Sequence, residues 1–145
     1  MTAAIPPQMI FVNLPSIDIA RARAFYAGLG FAFDERFCGP DTLMVSVSDA
    51  IHLMILDRER FAGFSPRPVA PEGTVGALVC LSRTSAAEVD AFVERALAHG
   101  GTDNDNTQEM GDFMYGRSVS DPDGNVLEIM WMDVERAMKA WGVAA

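Results

Sequence analysis

"SVSDAIHLMIL" (46–56) and "SVSDPDGNVLEIMW" (118–131) open with the same four residues, and each then runs into an apolar stretch. An internal repeat of this kind sets the architecture before any single motif does. Upstream of each copy lie another short apolar run and a helical pattern. "MIFVNL" (9–14) precedes the first helix, and "ALVCLS" (77–82) precedes the second.

The helical patterns repeat at a fixed distance. In "DIARARAFYAGLGF", Asp18 is a good N-cap, and Ala22, Phe25, Tyr26 and Leu29 recur at helical spacing. In "SAAEVDAFVERALAHGG", Ser85 and Glu88 form a capping box. Val89, Phe92, Val93, Ala96 and Leu97 make its stripe, and Gly100-Gly101 ends it. Asp18 and Ser85 stand 67 residues apart, as do Phe25 and Phe92. Strands expected near 31–37, 42–48 and 51–56, then near 102–106, 113–120 and 125–132, complete two β-α-β-β-β units.

One such unit buries one sheet face under one helix, so two must cooperate. The fold class is α+β: two βαβββ modules forming curved mixed sheets around a central cavity. The first module spans 8–56 and the second 75–132. Residues 57–74, punctuated by proline and glycine, read as a linker with a short helical turn around Phe61. Residues 133–145 read as a C-terminal tail helix.

Composition narrows the function. The net charge of −9 argues against nucleic acid or an anionic membrane as partner. No apolar run approaches the roughly 20 residues of a membrane span, and the first residues lack the pattern of a secretory leader. Cys38 and Cys80 do not make a disulfide framework, and a reducing cytoplasm is expected. Lys139, the only lysine, lies in the tail, which disfavours Schiff-base chemistry. No phosphate-binding glycine loop, nucleophile elbow or CxxC is present.

A duplicated βαβββ unit with "DPDGN" leading into a strand that carries glutamate resembles the vicinal oxygen chelate superfamily. That group holds glyoxalase I, extradiol dioxygenases, fosfomycin resistance proteins and bleomycin-binding proteins. "IFVNLPSIDIARARAFYAGLGF" and "FMYGRSVSDPDGNVLEIMWMD" are similar to a bacterial branch usually labelled predicted lactoylglutathione lyase. The resemblance covers nearly the whole chain and is more specific for fold than for reaction.

It implies a small-molecule site, homodimers, and in some members a divalent metal held by His or Glu on the first and last strands of each unit. Glu128 matches such a ligand. Phe11 and Leu78, at the first-strand positions, have no donor atom. Aligning "HLMIL" on "EIMWM" sets His52 opposite Glu128 in a pseudo-twofold. A register shifted by one sets Leu53 there and turns His52 to the helix side, and the pattern of Ile51, Leu53 and Ile55 as a helix-packing face favours the first. The implied activity is a glyoxalase-like lyase or isomerase acting on a carbonyl or vicinal-oxygen compound. The alternative is a metal-free binding protein of the bleomycin-resistance type.

Strand alternation sorts the remaining candidates. A pocket face is expected to carry Phe11, Asn13, Leu78, Cys80, Glu128 and Met130, with His52 and Met54. A tight turn centred on Pro122-Asp123 sets Arg117 across from Glu128, and Tyr115 across from Met130. Glu128 then has three readings: metal ligand, general base, or partner of Arg117. The stretch 110–118 reads either as a loop entering a strand or as a rim where Tyr115 and Arg117 meet an anionic or carbonyl ligand. His99, at a helix end, suits the dipole there.

Overall fold

The computed structural model describes residues 3–143. They divide into two compact units, residues 3–69 and 70–143. The fold is mixed α+β, and each unit pairs its own sheet with its own helices.

In unit 1 the order is β1 (Ile10–Ser16), α1 (Ile19–Gly28), β2 (Ala32–Phe33), β3 (Thr42–Ser46), β4 (Ile51–Asp57) and α2 (Arg58–Phe64). The sheet runs β1-β4-β3-β2, with β1 and β4 parallel. Asp18 caps α1 by accepting from the Arg21 backbone N–H at 3.0 Å. Ala22, Phe25 and Tyr26 are fully buried, as are Leu53 and Ile55.

Unit 2 repeats the plan with β5 (Leu78–Ser82), α3 (Ala86–Ala98), β6 (Thr102–Asp103), β7 (Gln108–Met110), β8 (Met114–Ser120), β9 (Val126–Met132) and α4 (Val134–Ala140). Its sheet runs β5-β9-β8-β6, and β7 adds to β8. The capping box is present: Glu88 N–H donates to Ser85 Oγ at 3.1 Å, and the Glu88 carboxylate accepts from Thr84 N–H at 2.8 Å. Val89, Phe92, Val93 and Ala96 bury one stripe, as Leu127 and Ile129 bury one sheet face.

Three expectations about local structure need correction. The strand expected at 31–37 is only two residues long, because Asp34 accepts from the Arg36 backbone and grips its guanidinium at 2.7 and 2.9 Å. That closes a single helical turn over Glu35–Phe37. The strand expected at 102–106 is likewise two residues, since Asp103 accepts from the Asp105 N–H in a local turn and Asp105 takes a positive φ of 53°. β7 lies where no strand was expected. The tail helix α4 begins after its cap Asp133, and residues 144 and 145 of the expected tail lie outside the described residues.

Candidate functional site

The side of each sheet away from its helices carries the candidate chemistry. In unit 1, Phe11 pairs with His52 and Asn13 with Met54 along the parallel ladder, and Met44 pairs with Met54 from β3. Leu53 and Ile55 take the helix side. His52 therefore shares a face with Phe11, and their rings stack at 5.1 Å with 16° between planes. These two residues, with Met9, Phe37, Met44 and Met54, line a cavity of about 540 Å³, and the Asp34–Arg36 ion pair forms part of its wall. His52 is buried, its Nε2 lies 3.3 Å from the Asp49 carbonyl, and its Nδ1 has no partner among the described residues. Asn13 is exposed and donates to the Phe11 carbonyl of its own strand at 3.3 Å.

In unit 2 the corresponding face carries Leu78, Cys80, Val126, Glu128 and Met130. Cys80 is the parallel-ladder partner of Glu128. Burial, then the Glu128 charge, push the Cys80 thiol above its ordinary value, so it is a poor thiolate. A groove of about 420 Å³ runs along this face, walled by Thr74, Asn104, Asn106, Ser118, Ser120 and Glu128 together with small and apolar residues. Asn104 donates to Ser118 Oγ at 2.8 Å and accepts from Ser120 Oγ at 2.9 Å. Glu128 has no hydrogen-bond or ion-pair partner among the described residues.

The expected Arg117–Glu128 pair is not formed. Ser118 stands across from Glu128, and Arg117 across from Ile129. The connection at 121–125 is a five-residue loop, not a two-residue turn. The buried Asp121 carboxylate accepts from the Asp123 and Asn125 backbone N–H groups and from Asn125 Nδ2, all at 2.9 Å. This shifts the register by one residue and moves every β8 side chain to the opposite face. Tyr115 correspondingly pairs with Trp131, not with Met130.

Arg117 and Tyr115 go instead to the helix side. Arg117 bonds Asp90 of α3 at 3.0 Å and Asp103 at 2.6 Å, and Tyr115 donates to Asp90 at 2.7 Å. The Tyr115 hydroxyl, then Arg117, hold the Asp90 carboxyl below its ordinary value. Neither residue presents its polar end to the groove. Ser118, Gly116, Asn104 and Asn106 line that face instead, and the "DPDGN" pattern of Asx-turn residues was the signal that could have found them.

The ladders also move His52. Because Phe11 and Leu78 match through the helix spacing, the partners Asn13↔Met54 and Cys80↔Glu128 match too. Met54 holds the place of Glu128, and His52 holds that of Val126. The "SVSD" copies align by identity two residues away from the alignment the ladders impose. A shift of two preserves the face, so His52 still lines its cavity.

A divalent ion of the type the resemblance implies takes three or more protein donors. The unit 2 face offers two donors, Glu128 and the Cys80 thiol. The unit 1 face offers His52, beside an Asp34 already paired with Arg36. Among the described residues of either unit, no three His, Cys, Asp or Glu side chains group to hold an ion. The donor set within each unit does not fit the metal.

Duplicated βαβββ units with ligand-sized hollows on their helix-free faces define a small-molecule-binding class of fold. The chain belongs to the Glyoxalase/Bleomycin resistance protein/Dioxygenase superfamily, whose model matches residues 8–129. Solved structures share the fold. A glyoxalase/bleomycin resistance protein/dioxygenase family enzyme from Burkholderia phytofirmans superposes with a TM-score of 0.69 at 23% identity, over 85% of this chain and 97% of that one. A glyoxalase-related enzyme from Fulvimarina pelagi gives 0.72 at 22%, over 85% and 86%. A lactoylglutathione lyase from Agrobacterium tumefaciens gives 0.65 at 21%, over 97% and 100%. None of the curated proteins compared with this chain matches it. No helix among the described residues is long and apolar enough to cross a membrane.

Proposed function

We propose that this chain is a metal-independent small-molecule-binding member of the superfamily, of the bleomycin-resistance type. The observation that carries the reading is the donor set. Phe11, Leu78, Met54 and Val126 fill the sheet-face positions around Glu128 and its counterparts, and none of them offers the oxygen or nitrogen donor that a divalent ion of this type takes. The hollows of about 540 and 420 Å³ lie in the size range of small-molecule sites. Phe11, His52 and Met130 contact ligand as pocket walls, and Asn13 and Cys80 border it.

A glyoxalase-like lyase or isomerase, acting on a carbonyl or vicinal-oxygen compound, is the second reading. Glu128 favours it: a carboxylate without a protein partner is free to accept a proton from a bound carbon acid. In either case the protein works in the cytoplasm, where free Cys38 and Cys80 stay reduced. It assembles as a homodimer, which suits the exposed apolar side chains Ile10 and Leu78 on edge strands β1 and β5. Light scattering should report twice the chain mass.

Elemental analysis, with thermal shift in nickel, zinc, manganese and cobalt, tests the main reading. The expected result is substoichiometric metal and no metal-induced shift. A stoichiometric ion lost in Glu128→Gln and His52→Ala would overturn it. Solvent deuterium entering a bound carbonyl compound, and abolished by Glu128→Gln, would establish the second reading.

A further inference from the structure

We infer that the unit 2 groove selects a ligand carrying a protonated amine on a hydroxyl-rich body, and rejects anions. This names the ligand class of the site and so rests on the binding reading above.

Glu128 sets the chemistry of this groove. The groove's lining contains no arginine, lysine or histidine among the described residues. Arg117 borders a small adjoining hollow of about 30 Å³, but its guanidinium is held by Asp90 and Asp103 on the helix side. Leu78, Val126 and Met130 flank Glu128 on the same face. Any ligand that fills the groove therefore strips water from a carboxylate that the protein itself does not pair.

Three ligand classes meet that carboxylate differently. An apolar ligand removes its water and returns nothing, which penalises binding. An anion adds like-charge repulsion in a site of lowered dielectric. A protonated amine restores the lost hydrogen bonds as charge-assisted ones. The rest of the wall offers neutral donors and acceptors. Asn104, Ser118 and Ser120 form one hydrogen-bonded chain, and Asn106 and Thr74 extend the polar surface. Hydroxyl groups, which both donate and accept, suit such a wall better than any one-sided group. The two carboxylates of a glutathione-like ligand meet no cationic side chain in this groove's lining.

The test is amide-resolved NMR of the full, isotope-labelled chain, titrated separately with glucosamine, glucose and glucuronate. Glucosamine should shift amides at Asn106, Ser118 and Glu128. Glucose should bind at least about tenfold more weakly, in line with a lost charge-assisted hydrogen bond, and glucuronate should leave the groove amides unmoved. Glu128→Gln, nearly isosteric, should bring glucosamine down to the level of glucose. Asn106→Ala, at an exposed position, should weaken both sugars alike and keep the amine preference. Glucuronate binding as well as glucosamine, or an amine preference that survives Glu128→Gln, would overturn the inference. Silence of the groove toward all three sugars would overturn it too. If toluene then shifts amides of the unit 1 cavity, the binding reading stands without it. A stoichiometric metal on Glu128 would sink both.

Discussion

Units 1 and 2 share a strand order, a parallel first pair and a helix on one side, yet their free faces differ in chemistry. Unit 1 presents Phe11, Phe37, Met44 and Met54 around a stacked His52. Unit 2 presents Asn104, Asn106, Ser118 and Glu128 at comparable places. The buried faces hardly differ: Leu53 and Ile55 in one, Leu127 and Ile129 in the other, all fully buried. A duplicated scaffold is constrained where it packs and free where it does not. Recognition is therefore written on alternate residues of the same strands.

Matched substitutions measure that division. The largest effect is expected in the cores. Ile55→Ala and Ile129→Ala occupy equivalent buried positions, and each should cost about 2–4 kcal/mol in urea unfolding. Met54→Ala and Glu128→Ala, one residue earlier and only partly buried, should each cost less than about 1 kcal/mol. A large loss at Glu128 would mean that it has a structural partner and would erase the contrast.

The hairpin loops come next. Asp121→Ala removes a buried acceptor of three hydrogen bonds and should cost about 2–3 kcal/mol in thermal unfolding. In unit 1 the comparable loop is held by Ser48 Oγ, which accepts from Ala50 and Ile51 N–H at 3.3 and 3.1 Å. Ser48→Ala should cost about 1 kcal/mol or less.

A smaller effect concerns acid. Asp90 and Asp103 are both held below their ordinary 3.8. Asp90 is lowered first by Tyr115, and Asp103 first by the Asp105 N–H, with Arg117 contributing to each. A carboxyl lowered in the folded state stabilises the protein above its unfolded value, and that stability is lost as pH falls through the folded value. Stability should therefore decline below about pH 4. Arg117→Leu should flatten that decline in acid-unfolding curves without changing ligand affinity in the groove. Loss of affinity would return Arg117 to the site.

The smallest effect is expected at His52. His52→Phe should keep the stacked pair and the fold, with a melting temperature within a few degrees of the parent. A collapse would show that the imidazole nitrogens hold unit 1 together.

Much of the fold was legible because its signals are local. Asp18 and Ser85 announce helix starts by the backbone groups they satisfy, and the stripes through Phe25 and Phe92 show which side faces the sheet. In unit 1 alternation places Phe11, whereas His52 and Met54 also needed the cue that Leu53 and Ile55 suit the helix side. The free face was half legible in unit 2. Cys80, Glu128 and Met130 sit on strands whose parity the sequence sets, whereas the parity of β8 depends on how many residues the 121–125 loop consumes. Asp121 decides that number through bonds to residues two and four positions on, which composition does not count. The short strands at 32–33 and 102–103 escaped for a related reason. Asp34 and Asp103 spend their side chains on nearby groups and halt the strand.

That loop also acts as a reading-frame for surfaces. Because adjacent strand residues face opposite ways, deleting one residue between Asp121 and Asn125 while keeping the β8–β9 pairing would exchange two inventories at once. Tyr115 and Arg117 would turn into the groove, and Gly116 and Ser118 would turn under the helix. A neutral, hydroxyl-bearing wall would become a cationic, aromatic one with every remaining side chain unchanged. Length, not composition, is the cheapest variable by which such a duplicated scaffold changes what it recognises.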